Sequence, residues 1–104
     1  MAILTGDKLK MLLVGSTHYV DVGKDVDAVI FYASETDAHM RPPGGPTFKG
    51  TVDIRDDGYT TDWIDGPTGN WRIDHVPGAF SYIGPDGNPA GTVTKIVPGN
   101  PEGF

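Results

Sequence analysis

The sequence predicts a small all-β domain, built as a single antiparallel β-sandwich (Ig-like or jelly-roll-like) or a partly open barrel of about eight short strands. Short runs rich in Val, Ile, Thr, Tyr, Phe and Trp recur between Gly, Pro, Asp and Asn, which is the pattern of strands and turns. The chain contains 15 Gly and 9 Pro, which are poor helix formers. Its 104 residues allow one domain over 1–104.

The first third of the chain predicts three strands. Residues 8–14 form the first strand and residues 18–22 the second, with Gly-containing turns after each. Residues 26–33 form the third strand, and their run from Ala28 to Ala33 is continuously apolar. Such a run is typical of a strand that is covered on both faces, so this strand is expected to be the most buried.

A polar, Pro/Gly-rich loop is predicted for residues 34–46. The Pro42-Pro43 pair fixes two φ angles and removes two backbone donors, so it cannot lie in a central strand. A single helical turn over residues 34–39 is the alternative for the start of this loop.

The second half of the chain predicts five strands separated by strong turn signals. Asp57-Gly58 suits the positive φ of a tight hairpin, and residues 84–89 form a loop rich in Gly, Pro and Asn. The chain ends, residues 1–6 and 98–104, show no periodicity and are predicted to be loose. The five strands are placed at residues 47–55, 59–64, 71–76, 79–83 and 92–97.

The aromatic residues have two interpretations. Large aromatic side chains are usually buried, and each buried ring removes on the order of 150–250 Å² from water. The large core residues are therefore expected to be Phe31, Phe48, Ile54, Trp63 and Trp71. In the alternative, rings beside polar neighbours form an exposed sugar-stacking platform made by Tyr59, Trp63, Trp71 and Tyr82.

Charge and cysteine content exclude several function classes. The formal net charge is −6 and the eight basic residues are scattered, which argues against nucleic acid and against anionic membranes as partners. The chain has no Cys, so it has no disulfide framework, thiolate zinc site or cysteine nucleophile. We find no signal peptide, and no apolar run approaches the ~20 residues of a membrane span, so synthesis in a host cytoplasm is expected.

No metal or cofactor site is predicted. His18, His39 and His75 lie on different predicted elements and lack the spacing of a zinc site. The stretch 53–58 partly matches a calcium loop, but Arg55 stands where a carboxylate ligand is needed, so a polar hairpin turn is the better interpretation.

Catalytic residues are not predicted either. Asp62, Asp65 and Asp74 flank the two tryptophan-bearing strands, and paired carboxylates in a groove would suit a glycan-acting enzyme. A domain of this size, however, leaves little room for a deep cleft. The chain is therefore expected to be no enzyme and to act through its outer surface.

One resemblance rests on the stretch from Trp71 to Tyr82, the loop from Gly84 to Gly91, and the strand beginning at Thr92. Together with the overall β pattern, it resembles small all-β accessory proteins of bacteriophage virions, namely capsid decoration or cement proteins and tail or fibre modules. The resemblance implies a non-enzymatic structural role in the virion, other capsid or tail proteins as partners, and a homo-oligomer such as a trimer.

Two features of the chain suit such partner contacts. The loop that starts at Arg41, Pro42 and Pro43 is stiffened by its prolines, so presenting it to a partner costs less ordering entropy. Phe104 is an isolated apolar residue that could anchor an extended arm, which in turn could add a strand to an exposed sheet edge. The alternative function is a carbohydrate- or receptor-binding module.

Overall fold

A computed structural model describes residues 2–64, 66, 68–76 and 79–104. Over these residues the chain forms nine strands and one helix. In chain order the elements are β1 (Ala2–Ile3), α1 (Gly6–Leu13), β2 (Ser16–Asp21), β3 (Ala28–Tyr32), β4 (Asp37–Arg41), β5 (Phe48–Ile54), β6 (Tyr59–Trp63), β7 (Thr68–Val76), β8 (Ala79–Ile83) and β9 (Pro89–Pro98). The all-β class is thus confirmed.

Eight of these strands close into an antiparallel barrel. Consecutive strands from β2 to β9 pair as neighbours, and β9 also pairs with β2 through His18↔Ile96 and Val20↔Val93. The long strand β7 pairs with β6 through its first half and with β8 through its second half. The short β1 adds to β7 at Asp74. The sandwich expectation is therefore corrected to a closed barrel, because alternation along a strand does not reveal whether the last strand returns to the first.

The predicted first strand at residues 8–14 is wrong, since this segment is the helix α1. Leu9 and Leu13, four residues apart, are completely buried, and Met11 faces outward with 80% of its surface exposed. A spacing of four residues is that of one helix face. Gly15, with φ +78°, follows the helix and permits the turn into β2. The helix has only eight residues, so a test for helical periodicity over a dozen residues misses it.

The predicted loop at residues 34–46 is also corrected, because β4 lies inside it. Ser34 forms a turn in which its hydroxyl accepts the backbone N–H of Thr36 and of Asp37. The following strand directs Ala38 and Met40 to the interior, whereas its other side chains are polar. Because the outward-facing side chains of β4 are polar, the sequence favours a loop over a strand at these positions.

Both chain ends that were expected to be loose make defined contacts. Ile3 pairs with β7, and the backbone N–H of Leu4 donates to Ile73 O at 2.8 Å. After β9, residues 99–104 (the C-terminal strap) turn back over the outer face of β2, β3 and β4. The strap begins where the backbone N–H of Gly99 donates to Gly15 O and Gly99 O accepts the Thr17 hydroxyl, each at 2.8 Å.

The second-half strands are confirmed in type, with shifted boundaries. The strands β7 and β9 begin earlier than predicted, at Thr68 and Pro89. Gly58 does not adopt the expected positive φ, but a Cβ there would lie 2.5 Å from Trp71 O, so close backbone approach explains the glycine. The predicted break at residues 77–78 lies outside the described residues. Within the described ranges, no helix is long and apolar enough to span a membrane.

Candidate functional site

The barrel contains a cavity of about 210 Å³ at the end opposite α1, which we call the mouth cavity. The expectation that the domain has little room for a deep cleft is corrected to this extent, although no acidic side chain is among the described lining residues. Seven of the eight barrel strands and two connecting loops contribute to its wall, which is almost entirely apolar. The lining residues are Val20, Val22, Ala28, Ile30, Tyr32, Met40, Pro42, Pro43, Thr61, Trp63, Trp71, Tyr82, Ala90 and Gly91.

A small inward-facing residue leaves this space open. Ala28 lies on β3 near the mouth, where a larger side chain would fill the barrel. A Cβ at Gly91 on β9 would lie only 2.6 Å from Val20 Cγ1, so this glycine permits the close approach of β9 to Val20. The open volume is therefore a consequence of residue size at the mouth.

A proline lip borders the cavity on one side. Pro42 and Pro43 follow β4 and line the cavity, and the backbone N–H of Gly45 donates to Pro42 O at 3.1 Å. Gly44 has φ +68°, a conformation that glycine adopts without strain. The fixed φ angles of the prolines make this lip stiff.

A chain of buried hydroxyl groups lies deeper in the barrel. Tyr59 and Tyr32 hydroxyls are 3.0 Å apart, and Tyr32 and Tyr82 hydroxyls are 2.8 Å apart. The Tyr82 hydroxyl is 2.8 Å from His18 Nδ1, and His18 Nε2 is 3.0 Å from Leu12 O. The rings also pack edge-on, with 5.8 Å between the centroids of Tyr32 and Tyr59.

The backbone carbonyl at Leu12 sets the direction of this chain. A carbonyl only accepts, so His18 Nε2–H donates to it and the neutral ring accepts at Nδ1. The Tyr82 hydroxyl then donates to His18, Tyr32 donates to Tyr82, and Tyr59 donates to Tyr32. Each hydroxyl proton is used once, so the network is fully directed.

Burial keeps every member of this network neutral near pH 7. Burial lowers the pKa of His18 to about 4, although the hydrogen bond to Leu12 opposes the change. Burial raises the pKa of Tyr32 to about 12, and it raises the pKa of Tyr59 and of Tyr82 well above the usual value for tyrosine. The network therefore holds the core together without carrying charge.

Thr61 is a polar residue of the cavity wall whose hydroxyl proton is not taken up by a described protein acceptor, and the indole N–H of Trp63 is a second donor in this wall. Trp71 Nε1–H, which only donates, gives its proton to Thr61 Oγ1 at 3.1 Å. In the part of the chain that the structure describes, the Thr61 hydroxyl itself donates to no protein acceptor. Thr61 is only 2% exposed, so its proton is directed into a dry environment.

The predicted partner contacts fall into two places. Pro42 and Pro43 belong to the lip of the cavity, as described above. Arg41 instead lies on the outer face, where its Nη2 donates to Glu102 Oε1 at 2.6 Å and its guanidinium lies 5.8 Å from the centroid of the Phe104 ring. Phe104 stacks on His39, with 6.0 Å between the ring centroids. Arg41 and Phe104 are thus brought together by the strap.

The four rings of the predicted sugar platform lie inside the barrel. Tyr59, Trp63 and Tyr82 are buried, and Trp71 is partly buried. Three of them line the mouth cavity, and Tyr59 belongs to the hydroxyl chain beneath it. The structure therefore gathers these rings around a hollow instead of displaying them on an outer surface.

Among the five expected core residues, Trp63 is buried, Phe48, Ile54 and Trp71 pack against the core, and Phe31 stacks on His39 outside it.

The residues considered for metal or acid–base chemistry are not gathered at one place. His18 belongs to the hydroxyl chain, His39 stacks under the strap, and His75 stacks on Phe80. Within the described ranges, no group of three potential metal-binding side chains occurs. Asp62 accepts the Thr68 hydroxyl at 3.1 Å on the outer surface. Asp74 is buried, and Asp65 lies outside the described residues.

Sequence reasoning missed the cavity and its non-aromatic lining. Ala28, Ile30 and Met40 alternate inward on two neighbouring strands, and this alternation was the available signal.

A comparison of the chain with protein-family models, curated sequences and solved structures finds no match.

Proposed function

We propose that this chain is a non-enzymatic binding protein that holds a small ligand in the mouth cavity. The observation that carries the proposal is the cavity itself: about 210 Å³ of apolar space that opens at one end of the barrel. Protein interiors are normally close-packed, and an apolar cavity is a standing cost in stability that a ligand removes. Small closed barrels can hold one small ligand in this way.

Binding is favoured over catalysis by the chemistry of the wall. None of the described residues that line the cavity is charged. General acid–base catalysis needs titratable groups within hydrogen-bond reach of a substrate, and the nearby tyrosines and His18 already exchange hydrogen bonds with one another. An apolar wall with few polar groups is typical of a site that recognises a ligand.

The role in a virion, with capsid or tail partners and an oligomeric state, stays a prediction. Among the described residues, no contact points to such a partner. An added strand would also need a free sheet edge, and the closed pairing of β2 with β9 removes that edge from the barrel.

Toluene titration followed by NMR tests the proposal. We expect saturable shifts at residues that line the mouth cavity, and quenching or enhancement of tryptophan fluorescence, because both tryptophans of the chain line it. Ala28→Leu would fill the cavity and abolish the binding. Ala33→Leu is the matched control, since Ala33 is exposed just beyond the opposite end of the same strand.

The NMR shifts of the wild-type protein on titration with toluene test the proposal even if Ala28→Leu folds poorly. Saturable shifts confined to cavity-lining residues support the proposal. Absence of saturation, or shifts spread evenly over the barrel surface, would rule it out.

A further inference from the structure

We infer that the ligand of the mouth cavity is a small, uncharged aromatic molecule that carries one hydrogen-bond acceptor, and that the Thr61 hydroxyl donates to this acceptor. The inference rests on the proposed function and adds the chemical class of the ligand. Four properties of the cavity lead to it: its volume, its lack of charge, its ring-rich wall and its uncommitted donor.

The volume limits the size of the ligand. An apolar cavity of about 150 Å³ in another protein binds benzene. The mouth cavity, at about 210 Å³, has room for a single substituted ring. Long-chain lipids and oligosaccharides exceed this space.

The absence of charge in the described part of the wall excludes ionised ligands. Burying an unpaired carboxylate or ammonium group costs far more than its contacts return. Two cations on neighbouring strands are held on the outer face: Arg41 pairs with Glu102, and Lys95 lies 4.5 Å from the centroid of the Tyr19 ring. A ligand that enters the cavity is therefore expected to be neutral.

The wall is suited to a flat ring. Tyr32, Trp63, Trp71 and Tyr82 contribute aromatic surfaces, and Met40 adds a flexible thioether that packs well against rings. Aromatic pairs attract each other beyond the effect of the area that they bury. An aromatic ligand therefore gains more here than an aliphatic molecule of equal size.

The Thr61 hydroxyl adds a preference for an acceptor. Its oxygen is occupied by Trp71 Nε1–H, and its proton is free among the described residues. The hydroxyls of Tyr32 and Tyr82, by contrast, donate their hydrogen bonds to Tyr82 and His18 within the buried hydroxyl chain. A carbonyl or ether oxygen on the ligand would pair with the Thr61 proton in surroundings that exclude water.

Acetophenone and ethylbenzene provide the test, because they have similar shape and differ in the carbonyl oxygen. The measured quantity is the ratio of their dissociation constants, obtained by calorimetry or NMR. We expect the wild type and Thr61→Ser to favour acetophenone. We expect Thr61→Val to reduce the preference by about five- to tenfold, the effect of one hydrogen bond. Benzoate is expected to show no saturable binding.

One complication is that Thr61→Val frees the indole N–H of Trp71, which could serve as a substitute donor. The double variant Thr61→Val/Trp71→Phe removes both donors, and Trp71→Phe alone is its control because it keeps the threonine. Trp63 is present in every variant, so its indole contributes equally to each ratio.

The outcomes separate the two proposals. If ethylbenzene binds but the ratio is the same in the wild type and the double variant, the inference about Thr61 is wrong and the proposed function stands. If benzoate binds more tightly than acetophenone, the ligand is not neutral and the inference is wrong. If neither neutral ligand binds to the wild type, both proposals are wrong.

Discussion

The two ends of the barrel differ in how their interior is filled. At the helix end, Leu9 and Leu13 of α1 occupy the interior completely, and the hydroxyl chain from Tyr59 to His18 satisfies every polar group beside them. At the mouth end, Ala28 and the proline lip border a hollow. The difference indicates that the packing of the helix end supplies stability, whereas the mouth end keeps an open volume.

The largest expected effect comes from shortening a side chain at the helix end. Leu13→Ala removes a fully buried side chain from a packed region and should lower the free energy of unfolding by about 2–5 kcal/mol. Met40→Ala at the mouth should cost only about 1–2 kcal/mol, because Met40 is partly buried and already borders the cavity. Urea denaturation measures both values. Equal losses would contradict the division between the two ends.

The next effect is a pH dependence that belongs to the helix end. The pKa of His18 is about 4 in the folded protein and near 6.5 in the unfolded chain, so the unfolded chain binds the proton more readily. The stabilisation is complete above pH 6.5 and is lost as the pH falls towards 4, by about 3 kcal/mol in total.

Urea midpoints at pH 7, 6 and 5 test this dependence. His18→Gln should be less stable than the wild type at pH 7, and the gap should narrow at pH 5. The lowered pKa values of Asp86 and Glu102 act in the same direction but mainly below this range, because carboxyl groups titrate near pH 4 when unfolded. Parallel curves for the two proteins would show that His18 is not the group responsible.

The smallest effect tests the direction of the hydroxyl chain. Tyr32→Phe leaves the Tyr59 proton without an acceptor and deprives Tyr82 of a donor, so we expect a loss of about 2 kcal/mol in the free energy of unfolding. Tyr59→Phe removes only the first donor of the chain and should cost about 1 kcal/mol. A loss for Tyr59→Phe as large as that for Tyr32→Phe would mean that the protons point the other way, because the Tyr32 proton would then lose its acceptor.

The sequence is informative about strands that have one polar and one apolar face. Tyr59, Thr61 and Trp63 alternate with polar residues, and the structure places their strand within one residue of the prediction. The same logic fails for α1, where Leu9 and Leu13 define a helix face too short for a long periodic window.

Barrel closure and the mouth cavity depend on contacts between distant parts of the chain. His18 and Ile96 carry no signal of their pairing, since either would suit many partners on a sheet. Trp63, Trp71 and Tyr82 were predicted from the sequence as part of an exposed platform, whereas Tyr32 was not predicted. The hollow between these rings was not predicted, because residues from seven strands meet around it only after the barrel closes.

The pairing of β2 with β9 also bears on how the protein is made. The barrel cannot close until residues 92–98 pair with residues 16–21, so the growing polypeptide on the ribosome carries unpaired sheet edges until residues 92–98 have emerged. A nascent chain arrested before β9 would expose the edge of β2 to other unfinished copies. Translation speed and chaperone protection over this stretch therefore bear directly on how much native protein accumulates.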